Sequence, residues 1–357
     1  MRGSSPKQSS MLCLVSVEDR VPQDHPLRPL KKMADRVLEE LSPVFDAMYA
    51  EGGRPSVPPE RLLKALLLQA LFTIRSERQL CEQLQYNLLY RWFLDMDMVE
   101  DAFAPTVFTK NRERLLAHEV AAQFFDAVVN QAQEADLMSS EHFSVDGTMI
   151  EAWASMKSFR PKDDDDDDNN GWADFRGKKR SNETHESKTD PEARLWRKGK
   201  GKEAKLCFGG NALMENRNGL LVDFRVDVMS GRVEREAALE LLDANVECRP
   251  GVTAGGDRGY DTKEFVAELR ARGVTPHVAQ NITRHRGSAI DGRTTRHDGY
   301  TLSQTIRKRI EEIFGWFKTV GGLRRTRFRG VERTQMAAHI VGAAYNLLRI
   351  SRLMAAA

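Results

Sequence analysis

The hydrophobic period of this chain changes at His142, and that change constrains the fold more than any other feature. Upstream, from about residue 29 to 135, apolar residues recur three or four apart, as on one face of a helix. Leu38, Leu41, Phe45 and Met48 precede Gly52-Gly53, and Leu62, Leu63, Leu66, Leu67 and Ala70 follow Pro58-Pro59. Ser76 with Gln79 three residues on forms a capping box opening another helix. A short segment over 87–93 and a long helix carrying Val120, Phe124, Val128 and Ala132 complete the region. From His142 the spacing becomes strand-like. Residues 142–146 read as a short buried strand, turned by Gly147 into a second extended piece over 148–151. Residues 206–214 and 220–228 read as a hairpin about the turn residues Asn216-Arg217-Asn218-Gly219. Then follow a helix over 235–242, a strand over 252–257, a helix over 262–270 and a strand over 274–279. A polar loop over 281–300 and helices over 302–319 and 334–354 end the chain. This order predicts an α/β unit with a mixed sheet behind an all-α N-terminal domain.

With 357 residues the chain exceeds the usual size of one core, so two domains are expected. Residues 1–28, punctuated by Pro22 and Pro26, read as a flexible arm, 29–138 as the helical domain and 139–357 as the α/β domain. A stretch over 156–205, with unbroken Asp163 to Asp168 and few large apolar residues, reads as a flexible charged insertion. The aspartate run lacks the glycine and the closing glutamate of a calcium loop, so it is expected to be a self-repelling solvated segment. Trp172 and Trp196 within it have no framework around them and are left unassigned. Cys13, Cys81, Cys207 and Cys248 form no C-x-x-C pair, which excludes a zinc ribbon and fits a reducing, cytoplasmic compartment. No apolar run approaches a membrane span, and Met11 to Val15 is too short for a signal-peptide core.

Asp146 and Asp257 both fall at the carboxyl ends of expected strands, where open α/β sheets gather their ligands. Taken singly, each is as well explained as a turn residue beside a glycine. A third acid comes from the helix over 302–319. Steps of about 100° per residue put Ile306, Ile310, Ile313, Phe314 and Phe317 on one stripe. Arg307, Glu311 and Lys318 then share the line flanking it, while Glu312 faces solvent. The competing reading of Glu311 is a surface pair with Arg307. Three carboxylates suit Mg²⁺, which uses few protein ligands and takes phosphate oxygens as others. Two such ions stabilise the entering and leaving oxygens of a phosphoryl displacement. Nothing points to Zn²⁺: His142, His277 and His339 lie among apolar residues, as core or strand-end histidines do.

These residues resemble a known family. From about Val21 to Met354 the chain is similar to the DDE transposases of bacterial insertion sequences, in the family named after insertion sequence five. Gly53 to Glu60 with Leu62-Leu63, Ser76 to Leu80, Tyr86 to Leu89 and Arg91-Trp92-Phe93 resemble its helical domain. Phe143 to Thr148 resembles the block bearing the first catalytic Asp, and Asp257-Arg258-Gly259-Tyr260 the second, Asp-x-Gly-Tyr. Arg307, Glu311 and Lys318 match the signature Tyr-x2-Arg-x3-Glu-x6-Lys, with Gln304 in place of its tyrosine. Ala344 to Arg349 is a familiar ending for such chains. The resemblance implies an RNase-H-like catalytic core with Asp146, Asp257 and Glu311 as the catalytic triad. They would bind two Mg²⁺, with Mn²⁺ able to substitute. It implies cutting at the element's terminal inverted repeats and joining of the freed 3′-hydroxyls to target DNA. Arg307 and Lys318 would contact phosphates near the cut, and paired ends imply a dimer or higher multimer. The implied setting is the bacterial cytoplasm, at the nucleoid. A nuclease that cuts without joining, or a non-enzymatic DNA-binding protein derived from a transposase, is the alternative.

Charge placement fits a DNA partner. The whole chain carries only +2, yet residues 304–333 hold nine basic against three acidic residues. The loop over 321–330, with Arg324, Arg325, Arg327 and Arg329, is expected to follow a DNA backbone. The alternative is a solvated basic loop. Helices over 60–85 and 106–116 are candidates for a helix-turn-helix. Arg78 and Arg112, with Arg75, Lys110 and Arg114, are its candidate DNA contacts.

Overall fold

The computed structural model describes residues 16–49, 56–162, 180–199, 201–282 and 287–356. Its N-terminal part is helical: α1 (Leu27–Glu40), α2 (Ser42–Met48), α3 (Pro59–Leu71), α4 (Glu77–Tyr86), α5 (Leu88–Phe93), α6 (Thr106–Ala117) and α7 (Val120–Glu134). The ends are set by side chains that take up free backbone donors. Ser76 Oγ accepts from Gln79 N at 3.1 Å to start α4, and Asn87 Oδ1 accepts from Leu89 N at 3.1 Å to start α5. Arg91, only 2% exposed, donates to the carbonyls of Leu84 (2.7 Å) and Asp97 (3.0 Å), locking α5 to the segment that follows it.

The remainder runs β1 (His142–Glu151), β2 (Phe159–Pro161), β3 (His185–Ser187), β4 (Arg194–Trp196), β5 (Lys205–Glu215), β6 (Leu221–Val228), α8 (Val233–Asn245), β7 (Thr253–Gly256), α9 (Lys263–Ala271) and β8 (Thr275–Val278). It ends with α10 (Gly292–Thr295), α11 (Asp298–Ile306), α12 (Ile310–Thr319) and α13 (Val331–Ala356). The central sheet is ordered β6-β5-β1-β7-β8. β5 is antiparallel to both β1 and β6, whereas β7 and β8 run parallel to β1. This is the mixed sheet expected from the order of elements; the RNase-H-like core was what the family resemblance implied.

α13 lies against α7, α3 and β6. Its Asn346, fully buried, pairs like a strand residue: Oδ1 accepts from Leu221 N at 3.0 Å and Nδ2 donates to Leu221 O at 2.8 Å. Both backbone groups of Leu221, at the start of β6, are thereby satisfied inside the protein. Because α13 is packed on both sides, one buried apolar cluster runs through the helical part and the sheet.

Four local expectations are corrected. β1 continues through Gly147, because β5 pairs with it from Phe143 to Glu151; Asp146 is mid-strand, not at a strand end. Asp257 follows β7 rather than ending it. The stretch over 156–205 is not free chain where it is described. β2 pairs with β3, and β4 extends the sheet along β5. Asp190 and Glu192 accept from the N–H groups of Gly330 (3.2 Å) and Val331 (2.8 Å), occupying the donors at the start of α13. Asp163 to Asp168 and Trp172 lie outside the described residues. Finally, 281–300 contains α10 and part of α11, and the helix over 302–319 is broken by a 3-10 turn, Arg307–Arg309.

Candidate active site

Parallel pairing between β1 and β7 ends where Ser144 meets Gly255. Two residues further along the chain from that pair come Asp146, within β1, and Asp257, just past the end of β7, so the shared direction of the strands brings the two acids to one place. Asp146 is half-buried, and its carboxyl is pushed up to about 7. Burial is the main cause, and the negative charges of Asp257 and Glu234 add to it. The Gly147 N–H, 2.8 Å from Asp146 Oδ1, and the Arg307 guanidinium pull the other way. Asp257 is exposed and also caps the short turn Arg258–Tyr260, accepting from Gly259 N at 2.6 Å. The turn-residue reading of Asp257 is therefore true of its side chain, one carboxylate oxygen of which caps the turn.

Arg307 is brought over the sheet by the smallness of Gly255. A Cβ there would lie 3.0 Å from Ser144 Oγ and 3.5 Å from Arg307 Cβ. Gln304, standing where the family signature has tyrosine, accepts from Arg307 Nε at 3.0 Å and donates to His277 O at 2.5 Å. It thus steers the arginine and ties α11 to β8. Lys318 donates to Thr148 Oγ1 on β1 at 2.5 Å. Burial lowers its ammonium pKa, helped by Lys198 and Arg324 and opposed by Glu151 and Asp146.

Glu311 stands in the first turn of α12, exposed, with no hydrogen bond or ion pair among the described residues. The surface pair with Arg307 does not form. Glu312 is exposed too, 3.7 Å from Arg349. The 3-10 turn at Arg307–Arg309 interrupts the single helical period on which the two glutamates had been assigned to different faces. Asp146, Asp257, Arg307 and Lys318 are brought together, whereas Glu311 makes no hydrogen bond or ion pair with them among the described residues. The charge of Glu234 does act on Asp146, and sequence reasoning missed it. The available signal was Gly147, since a glycine beside a site acid marks a close approach by another chain segment. Among the described residues no three His, Cys, Asp or Glu side chains stand in ligating position around one point.

The basic residues divide into two groups. Arg78, Arg324 and Arg329 are exposed, as are Arg75 and Lys110. Others have structural duties. Arg325 donates to Ala152 O (3.1 Å) and Trp153 O (2.6 Å) and stacks over the Trp153 ring. Arg327 donates to Arg75 O at 2.6 Å and Ile74 O at 3.3 Å. Arg112 pairs with Glu77 and lies over the Phe328 ring at 4.6 Å. Arg114 stacks on Tyr49. The loop over 321–330 therefore clamps the helical part to the sheet. His277 is buried against Ser303 Oγ (2.6 Å), and half-buried His339 stacks on Phe125.

The donor set at Asp146 and Asp257 is oxygen only, and burial first, then the charges of Asp257 and Glu234, raise the Asp146 carboxyl. That is the chemistry a hard divalent cation relieves, so these residues fit Mg²⁺ or Mn²⁺. Among the described residues no helix is long and apolar enough to cross a membrane.

Comparison with known proteins bears on this arrangement. A family model described as "Transposase domain (DUF772)" matches residues 15–114, and one described as "Transposase DDE domain" matches residues 140–347. No curated protein is significantly similar to the chain. Among solved structures, the piggyBac transposase synaptic complex with hairpin DNA aligns at 9% identity and a TM-score of 0.43, covering 93% of this chain and 76% of that one. A pre-cleavage Mos1 transpososome aligns at 10% identity and a TM-score of 0.22, covering 85% and 82%. The Mos1 paired-end complex with the left transposon end aligns at 10% and 0.21, covering 86% and 84%. TM-scores this low carry no argument, and the assignment rests on the family models, the second of which spans more than half of the sequence. The chain belongs to the transposase DDE-domain family.

Proposed function

We propose that this protein is the transposase of an insertion sequence, which binds the element's terminal inverted repeats, cuts DNA there and joins the freed ends to a target. The observation that carries the reading is the meeting of Asp146 and Asp257 beyond the last β1–β7 pair, with Arg307 and Lys318 beside them. Asp146 and Asp257 would hold Mg²⁺, and Glu311, exposed and uncommitted, would complete the triad once DNA is in place. Bound there, the cations would activate the attacking oxygen and neutralise charge on the leaving one. Arg307, steered by Gln304, presents a planar fork to a phosphate, and Lys318 presents a point charge. Arg78, Arg324 and Arg329, exposed and without a structural duty described above, are the proposed backbone contacts; Arg112, Arg325 and Arg327, held by contacts to other segments, support them. Holding two ends together requires at least a dimer on DNA.

The test is incubation of the full chain with labelled element ends, a target plasmid and Mg²⁺. Joined product supports the transposase; cleaved but unjoined ends would leave only a nuclease. Asp146→Asn, Asp257→Asn and Glu311→Gln should each abolish cleavage while end binding persists. Wild-type cleavage by any one of them removes that residue from the proposed triad.

A further inference from the structure

Two helices of the N-terminal part, α4 and α6, offer themselves to DNA by sequence, and their contacts separate them. α6 is spent on the seam between the helical part and the sheet. Its Arg112 pairs with Glu77 and lies over the Phe328 ring, its Glu113 accepts from Arg333 Nη2 at 2.7 Å, and its Arg114 stacks on Tyr49. α4 presents an open face. Where α3 is buried along most of its length, only Leu80, Cys81 and Leu84 of α4 are buried. Steps of about 100° per residue place those three on one side of the helix. Arg78, Glu82, Gln85 and Tyr86 share the other side, and all four are exposed.

α4 is also held in a fixed place. Arg327 donates to Ile74 O and Arg75 O just ahead of the helix, and Arg112 holds Glu77 in its first turn. One end of α4 is thereby fastened to the loop over 321–330, which carries the exposed Arg324 and Arg329. A polar helix anchored beside a basic strip with its outer face open is the arrangement that sends a recognition helix into a major groove. An ordinary solvated face is the competing explanation. On such a face Arg78 and Glu82, opposite in charge and four residues apart, gain by pairing, yet neither has a hydrogen bond or ion pair among the described residues. Tyr86, 59% exposed, has its hydroxyl held by Gln83 Nε2 at 2.8 Å, which keeps the ring on the surface.

Glu82 carries the chemical argument. An acid set among phosphate-binding cations is repelled by a DNA backbone, so it is favourable only where a base edge offers it a donor. In the major groove that donor is the N4 amine of cytosine; the adenine amine lies beside N7, a second acceptor that repels a carboxylate. We propose that α4 is the helix that enters the major groove, and that Glu82 determines specificity there by accepting a hydrogen bond from cytosine. Arg78, one turn earlier, stays a backbone contact. The inference rests on the reading that the chain recognises the ends of its element, and it names the helix and the side chain that do so.

The experiment is selection of bound sequences from a random duplex library by the full chain at fixed salt, with sequencing of the bound fraction. The wild-type chain should favour cytosine at one position by about ten-fold or more. Glu82→Ala should reduce that preference to within about two-fold, keep the preferences at other positions, and bind unselected duplex more tightly. Glu82→Gln should move the preferred base from cytosine to adenine, whose N6 and N7 match an amide. Thr109→Ala, on the exposed side of α6, should leave every preference in place. Uniformly tighter binding by Glu82→Ala with unchanged preferences makes Glu82 an ordinary surface acid and overturns the proposal. Altered preferences in Thr109→Ala make α6 the reader and overturn it too. A wild-type chain that selects no sequence at all overturns the recognition of element ends itself, which distinguishes that failure from one confined to α4.

Discussion

Lys318 Nζ reaches Thr148 Oγ1 at 2.5 Å, fastening α12 to β1 two residues beyond Asp146. Because side chains alternate along a strand, Thr148 and Asp146 point to the same face of the sheet. The bond therefore fixes a cation beside the site acid, using a contact between residues far apart in the chain. Replacing Lys318 with Ala should lower end cleavage about a hundred-fold, the usual scale of a lost positioned charge. Thr148→Val, which keeps the lysine but frees it, should lower cleavage less and leave end binding unchanged in a gel-shift assay. Wild-type cleavage by Thr148→Val would mean the hydroxyl positions nothing.

Asp146 links the site to stability. Its carboxyl rises from an ordinary value of 3.8 to about 7 in the folded chain, through burial first and the Asp257 and Glu234 charges next. The native state thus holds its proton over a range where the unfolded state has lost it. The contribution to stability is fully present below about pH 4 and is lost as pH rises through about 7. In chelator, Asp146→Asn should raise the melting temperature relative to wild type, by more at pH 8 than at pH 5. An equal gain at both pH values would sink this account.

Two arginines of the basic loop should behave differently. Arg327 donates to the carbonyls of Ile74 and Arg75, so Arg327→Ala should destabilise the chain by about 1–3 kcal/mol, the scale of charged hydrogen bonds. Arg329 is exposed, and Arg329→Ala should leave the melting temperature unchanged. If it meets a phosphate, its loss reduces the salt dependence of end binding by about one unit of slope. Chemical denaturation and binding at several salt concentrations separate the two outcomes.

His277 is buried against Ser303, and burial first, then the charges of His142 and His297, push its pKa down to about 4 from 6.5. Here the unfolded state takes up the proton first, so this residue makes stability fall as pH drops from about 6.5 toward 4. His277→Gln should flatten that part of the melting-temperature profile. A profile of unchanged steepness would show that other groups govern it.

Much of the architecture was readable along the chain because local chemistry specifies it. The change of period at His142, the Ser76 cap and the turn between β5 and β6 each act over a few residues, and each reappears as an element boundary. The order of those elements led to the mixed sheet, and parallel strands carry acids at matching heights to one place, which is why Asp146 and Asp257 could be paired in advance.

Other features depend on contacts that no local pattern encodes. Glu311 was chosen by extending one helical period, which the turn at Arg307–Arg309 interrupts, and nothing local announced that Glu234 on α8 joins Asp257 among the acids whose charge reaches Asp146. The charge of the loop over 321–330 could be counted, yet which arginines are spent on carbonyls depends on where α3, α4 and β1 come to lie. The described parts of 156–205 looked too polar to fold alone, and they order by pairing with β5 and with the start of α13. Spacing acts over a turn of helix or a pair of strand residues; the placement of a charge beside another segment is settled by packing of the whole chain, where burial and long-range hydrogen bonds outweigh local preference.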